Sequence, residues 1–287
     1  MLNEYDRVCL LLNTCREGDV KGVELFLESD PFLIITSDYD GTTPLHVACS
    51  MGNRRLVEML LRRKPSSLFQ INSRAVDSST PLCEAVAHGH TDIARLLLQH
   101  GAQVNLVCQP ASALHEASAA GHEPCVRLLI AYGAELNVSD GWHGTPLHSA
   151  AVAGHFDVIR TLLQKGANPR AKMIHRNALH CVAELHPDRP ELAALLVGYG
   201  ADASARNNVE QTPGDLVPNA NTYASLKTIL THLGRNPMSL VECCLIRIRR
   251  NHFIGINSLP QPLQNRALHF EQYPDLWPGN LGHSCTE

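Results

Sequence analysis

Thr145-Pro146-Leu147-His148-Ser149-Ala150-Ala151-Val152-Ala153-Gly154-His155, continuing to Leu162-Leu163 and Gly166-Ala167, contains one complete structural sentence. Thr145 is a helix N-cap and Pro146 a first-turn proline, whose fixed φ and missing N–H suit the start of a helix. Gly154-His155 then marks a turn, a leucine-rich second helix follows, and Gly166 supplies the left-handed C-cap that lets the chain reverse. The unit predicted is helix, turn, helix and a projecting hairpin. One such pair cannot cover its own apolar face, so it needs neighbours of the same kind.

Those neighbours are present. Thr43-Pro44-Leu45-His46, Thr80-Pro81-Leu82-Cys83, Ser112-Ala113-Leu114-His115, Thr145-Pro146-Leu147-His148 and Asn177-Ala178-Leu179-His180 align, and Thr212-Pro213 opens a degenerate sixth unit. From the first residue of each, the successive offsets are 37, 32, 33, 32 and 35. The Gly-His pairs at 89–90, 121–122 and 154–155 and the Gly-Ala pairs at 101–102, 133–134, 166–167 and 200–201 keep the same register. A period near 33 with this tetrad resembles ankyrin repeats, which implies an all-α fold, an ankyrin-repeat solenoid of about six helix pairs with hairpin loops. The expected repeats lie near 6–38 (an N-terminal cap with helices near Arg7 to Glu17 and Val20 to Ser29), 40–77, 78–110, 111–142, 143–174 and 175–209, with 210–234 degenerate; together they make a domain over 1–234. Extra residues around Lys64 to Phe69, and His186-Pro187-Asp188-Arg189-Pro190 in place of Gly-His, are candidate recognition loops, although loops accept such changes at little entropic cost.

After a turn-forming break at 218–222, a helix from Tyr223 to Leu233 and Gly234, the chain enters Ser239-Leu240-Val241-Glu242-Cys243-Cys244-Leu245-Ile246-Arg247-Ile248-Arg249-Arg250. Ser239 with Glu242 forms a capping box and the arginines complement a helix C-terminus. Leu240, Cys244 and Ile248 make one stripe, yet Val241, Leu245 and Ile246 are apolar on the other faces, so this helix needs more than one surface to cover it. The spacing resembles the elongin-binding half of a SOCS box, and Ile256-x-x-Leu259-Pro260-Gln261-Pro262 resembles its cullin-binding half. The whole is similar to ankyrin-repeat and SOCS-box (ASB) proteins over about residues 6 to 263. That resemblance implies a helical SOCS box at 235–270, with Leu240, Cys244 and Ile248 on elongin C (which carries elongin B) and Ile256, Leu259, Pro260 and Pro262 on Cullin-5 with its RING-box protein. It also implies a non-catalytic substrate receptor of a ubiquitin ligase, holding a protein on the concave ankyrin surface. The pattern departs at Gln261, where an apolar side chain is expected, and an irregular tail at 271–287 stands where a closing helix would. The second reading is therefore a scaffold that binds elongin BC and a partner without recruiting the cullin.

Composition bounds the rest. With 287 residues, 44% hydrophobic and 18% charged, the chain buries a large core; a net charge of −4 and pI near 6.5 give no electrostatic reason to bind nucleic acid or an anionic membrane. The acidic and basic residues near the N-terminus and the short apolar run 8–12 do not resemble a signal peptide, so the cytosol or nucleus is expected. Ten cysteines without a Cys-x-x-Cys pair read as buried thiols rather than zinc ligands. No cofactor or metal is expected. No phosphate loop, nucleophile elbow or metalloprotease motif occurs, and the tetrad histidines 46, 115, 148 and 180 recur as structural ties between loop backbone and helix start rather than as catalytic bases.

Partner contacts are expected at hairpin tips and on the exposed side of each first helix. The candidates are Tyr39, Arg74, Trp142, His143, His175 and Arg176, with Trp142 preferred because tryptophan is enriched among interface anchors. Asn105 and Asn137, in loops after leucine-rich helices, are candidate sites for an asparaginyl hydroxylase.

Overall fold

The computed structural model describes residues 4–63, 71–106, 111–139, 144–218, 226–227 and 230–231. The 235–270 segment with all seven proposed elongin and cullin contacts, the Lys64–Phe69 loop, Trp142 and His143 lie outside the described residues. The expected 223–233 helix is represented by four residues, all helical.

Paired helices follow one another along the chain. The cap is Glu4–Glu17 and Val20–Ser29, followed by a 3₁₀ turn at Pro31–Ile35. Inner helices are Pro44–Ser50, Pro81–Ala87, Ala113–Ala119, Pro146–Ala153 and Ala178–Leu185; their outer partners are Arg54–Arg62, Thr91–Gln99, Glu123–Ala131, Phe156–Gln164 and Pro190–Gly198. A four-residue turn of helix, Pro213–Leu216, opens the degenerate sixth unit. Apart from a two-residue bridge between Met173 and Arg176, the described residues hold no strand pairing. No described helix is long and apolar enough to cross a membrane.

The inner helices are short because both ends are written into the sequence. Thr43, Ser112, Thr145 and Asn177 each cap the N3 backbone while the N3 histidine returns to the cap, a reciprocal box with histidine where Glu or Gln usually stands. Thr80 caps Cys83 directly. The tetrad leucines 45, 82, 114, 147 and 179 are at most 2% exposed, and the alanines one turn on, such as Ala48, Ala85 and Ala117, let adjacent inner helices approach closely. Ile93 and Leu97, Val126 and Leu129, and Ile159 and Leu162 close the core from the outer helices. Each such leucine contributes about 1.5–3 kcal/mol on burial.

A second contact set joins consecutive units. The imidazole of His155 lies over the backbone of Gly121 in the preceding repeat and its Nε2 donates to the Ala119 carbonyl at 3.0 Å. His90 repeats this on Gly52 and the Ser50 carbonyl (3.1 Å), and His186 on Gly154 and the Val152 carbonyl (2.8 Å). His122 lies over Gly89 in the same way. Arg189 adds a bond to the Gly154 carbonyl, so the His186–Pro190 connection is anchored to its neighbour despite lacking a Gly-His pair.

The glycine is required twice over at these rungs. Gly121 has φ +80, and a Cβ there would sit 2.6 Å from the His155 ring. Gly121→Ala is expected to cost about 1–2 kcal/mol for the left-handed backbone, with the ring displacement adding to it. A lowered midpoint of urea unfolding, with the loss reduced by a companion His155→Ala, is the outcome to look for.

Candidate functional site

The hairpin tips and inner helices frame a groove at the N-terminal end of the solenoid. The first tip closes through Asp38, whose backbone N–H donates to the Thr42 carbonyl and whose carboxylate accepts the N–H groups of Asp40 and Thr42. The second closes through Ala75 to the Ser79 carbonyl, with Asp77 accepting the Ser79 N–H. The Val76 N–H donates to the Asp40 carbonyl at 2.7 Å, which fastens the first tip to the second. Behind them, His46 bonds Thr43 through Nδ1 and the Ser79 carbonyl through Nε2 at 3.3 Å. Between tips and helices lies a space of about 450 Å³ reaching Arg16, Val47, Met51, Val76, Asp77 and Glu84.

The histidine tie recurs down the stack. His115 Nε2 reaches the Gly144 carbonyl at 3.0 Å and His180 Nε2 the Gln211 carbonyl at 3.3 Å. Each ring therefore fixes its own helix start and the following hairpin, the structural role expected of it. His148 breaks the series. Its Nδ1 accepts the Thr145 N–H, which places the ring proton on Nε2, yet buried Nε2 has no hydrogen-bond partner among the described residues. The carbonyl in register with Ser79, Gly144 and Gln211 is that of Arg176, and it accepts the Met173 N–H at 2.7 Å.

The fifth hairpin is built differently from the others. Asp38 and Asn207 begin the first and sixth tips with a side chain that accepts backbone N–H groups, whereas Ala75 in the second and Lys172 in the fifth offer no acceptor in that register. The second tip still closes in the register of the first and sixth, and the fifth alone among these four closes one residue later, as a two-residue turn with Ile174 at φ +45 and His175 at φ +67. Left-handed backbone at a β-branched residue is strained, by about 1–3 kcal/mol. Ile174 stands 50% exposed beside exposed His175, while Arg176 turns back to pair with Glu184.

The described candidates thus fall on different tips. Tyr39 is 79% exposed on the first, with its ring 4.2 Å from that of Tyr5; Arg74 is exposed beside the second without lining the groove. His175 and Arg176 belong to the fifth. The structure does not gather them into one pocket. Val76, 74% exposed at the second tip, and Ile174 were missed by sequence reasoning, which weighed aromatic and charged tip residues; the only signal was an aliphatic residue in tip register. Asn105 is held through both ends of its amide, accepting the Glu135 N–H and donating to the Gly133 carbonyl, and Asn137 accepts the Asn168 N–H. Both stitch successive hairpins together. The thiols of Cys15 and Cys49 are pushed up by burial, Cys15 to about 12, and are poor nucleophiles.

Ankyrin-repeat family profiles match residues 66–140 and 114–207 (ankyrin repeats, three copies) and 11–61 (ankyrin repeats, many copies). The crystal structure of the human ASB11 ankyrin repeat domain is similar with a TM-score of 0.68 at 26% identity, over 75% of this chain and 95% of that one. Human SMC5-SMC6 complex localization factor protein 1 is 38% identical over 96 residues, 33% of this chain and 9% of the relative. The probable E3 ubiquitin-protein ligase XBOS32 of Oryza sativa subsp. japonica is 32% identical over 108 residues, 37% and 21% respectively. The chain spans less than a quarter of either curated relative.

Two outcomes follow, one from His148 and one from the fifth hairpin. Burial holds His148 down to about 4 from 6.5, and His46 and His180 are lowered for the same reason. Above about pH 6.5 the ring is neutral folded and unfolded and its contribution is intact; below that the unfolded chain takes the proton first, and stability falls toward about pH 4 by on the order of 3 kcal/mol for His148. Urea melts across that window should show a shallower pH slope for His148→Gln. Relieving the turn strain by Ile174→Asn should raise stability by about 0.5–1 kcal/mol, read as a higher midpoint. Ankyrin repeats bind protein partners and serve as interaction scaffolds, and with the profiles covering well over half of its length the chain belongs to the ankyrin-repeat family.

Proposed function

We propose that this chain is the substrate-recognition subunit of an elongin BC–cullin–RING ubiquitin ligase, holding a target protein on its hairpin and inner-helix face for ubiquitination and degradation. The observation that carries the reading is a conjunction. Leu240, Cys244 and Ile248 at helical spacing, then Leu259-Pro260 and Pro262, follow a solenoid that overlays the human ASB11 ankyrin repeat domain across 75% of the chain. In this reading elongin C takes the Leu240 stripe, elongin B rides with it, Cullin-5 takes Ile256, Leu259, Pro260 and Pro262, and the RING-box protein supplies the charged conjugating enzyme. The chain itself acts by proximity, raising the local concentration of target beside the ubiquitin donor. Work in the cytosol or nucleus accords with this role.

Gln261 favours the scaffold as second reading, because an amide at an apolar contact must be desolvated without a matching partner. Leu240→Asp removes about 1.5–3 kcal/mol of apolar burial and places a charge in its stead, so elongin affinity should drop at least tenfold. Tagged chain purified from cells, beside this variant, is to be quantified for elongin B, elongin C and Cullin-5 by mass spectrometry. Recovery of all three with wild type and none with the variant supports the receptor; elongins without cullin support the scaffold; the absence of elongins from wild type overturns both.

A further inference from the structure

The groove between the first and second tips continues into a smaller space of about 130 Å³ that shares Asp77, Ser79 and Glu84 and extends to Ala111 and Glu116. The two together form an elongated trough crossing three inner helices. Its wall offers Val47, Ala75 and Ala87, and its lip the 55% exposed Met51 and 74% exposed Val76. Among the described residues that line it, Asp40, Asp77, Glu84 and Glu116 are acidic and Arg16 is basic. His46 adds no charge at neutral pH, since burial lowers its pKa. The Val76 to Asp40 and His46 to Ser79 bonds hold the walls in place before any partner arrives.

From this geometry we propose that the trough binds a basic segment of the target protein, with lysine or arginine at every third residue and aliphatic side chains between. The proposal deepens the receptor reading and rests on it for the identity of the occupant as a target. Charge complementarity selects the sign, and the exposed Met51 and Val76 select the aliphatic character. Spacing selects the pattern: packed helices lie about 8–10 Å apart, and an extended polyproline-type chain returns to the same face every three residues, about 9.3 Å. Asp40 on the first tip, and Asp77 with Glu84 on the second repeat, then present carboxylates to successive basic side chains. A compact anion is disfavoured by the carboxylates, and a compact cation leaves the apolar lip uncovered.

The test is fluorescence anisotropy of labelled peptides of repeating Lys-Leu-Pro, Glu-Leu-Pro and Lys-Gly-Ser against the full chain. Lys-Leu-Pro should bind saturably, weaken with salt, and lose at least about tenfold affinity on Asp77→Lys with Glu84→Lys or on Met51→Glu. Lys-Gly-Ser should bind more weakly and Glu-Leu-Pro not at all. Asp77→Asn with Glu84→Gln, checked for unchanged circular dichroism, repeats the test with less disturbance. The proposal is overturned if these groove variants bind like wild type, or if Asp157→Lys on an outer helix weakens binding as much. It is also overturned if Arg247→Glu with Arg249→Glu tightens binding, since the chain's own basic segment would then be the occupant. Elongin recovery should be untouched by the groove variants and peptide binding untouched by Leu240→Asp, so failure of the receptor reading and failure of this one give different results.

Discussion

The repeat geometry of this fold depends on one ring holding two repeats, a tie made at three of the five tetrads. In the Thr-Pro-Leu-His unit the imidazole accepts from the cap residue through Nδ1 and donates to the next hairpin through Nε2, as His46, His115 and His180 do. A helix of seven or eight residues is too short to be stable by itself in water, so its start must be imposed from outside. The same side chain that imposes the start also sets where the following finger stands. The second histidine of the second to fifth units, packed on a glycine of the preceding repeat, sets the opposite edge. Fingers and helices are thus positioned relative to each other by backbone acceptors rather than by chance packing of long side chains.

The fifth hairpin departs from this arrangement. Its tip closes one residue later than the first, second and sixth, with the Met173 N–H on the Arg176 carbonyl and left-handed backbone at Ile174 and His175. On the inner helix of the preceding unit, buried His148 Nε2 has no hydrogen-bond partner among the described residues. Strain in a hairpin is the kind of local inconsistency that proteins tolerate where a loop has a task other than folding.

Much of this was written in the sequence. The period, the caps, the cap-region helices and the structural role of the tetrad histidines follow from local rules about proline, glycine and threonine, and those rules operate within a few residues. The groove was not legible, because Asp40, Asp77, Glu84 and Glu116 come from successive repeats and meet only after stacking. Read singly, tip and helix residues mix both signs; brought together at the first three units, they are predominantly acidic. Gly-His pairs were visible as a recurring landmark, but their meaning as rungs depends on a neighbour some 33 residues away. The turn at Ile174 and His175 was hidden because nothing in Met173-Ile174-His175-Arg176 favours left-handed backbone.

Because the histidines and hairpin asparagines bond main-chain atoms of their neighbours, they read geometry and ignore residue type. Any unit that carries a threonine-type cap and a glycine at the turn offers the next one the same acceptors. Repeats of this chain are in that sense interchangeable parts with a standard coupling, and the coupling leaves fingertip residues outside its specification. Recognition residues can therefore drift, duplicate or be replaced at the tips without renegotiating the stack.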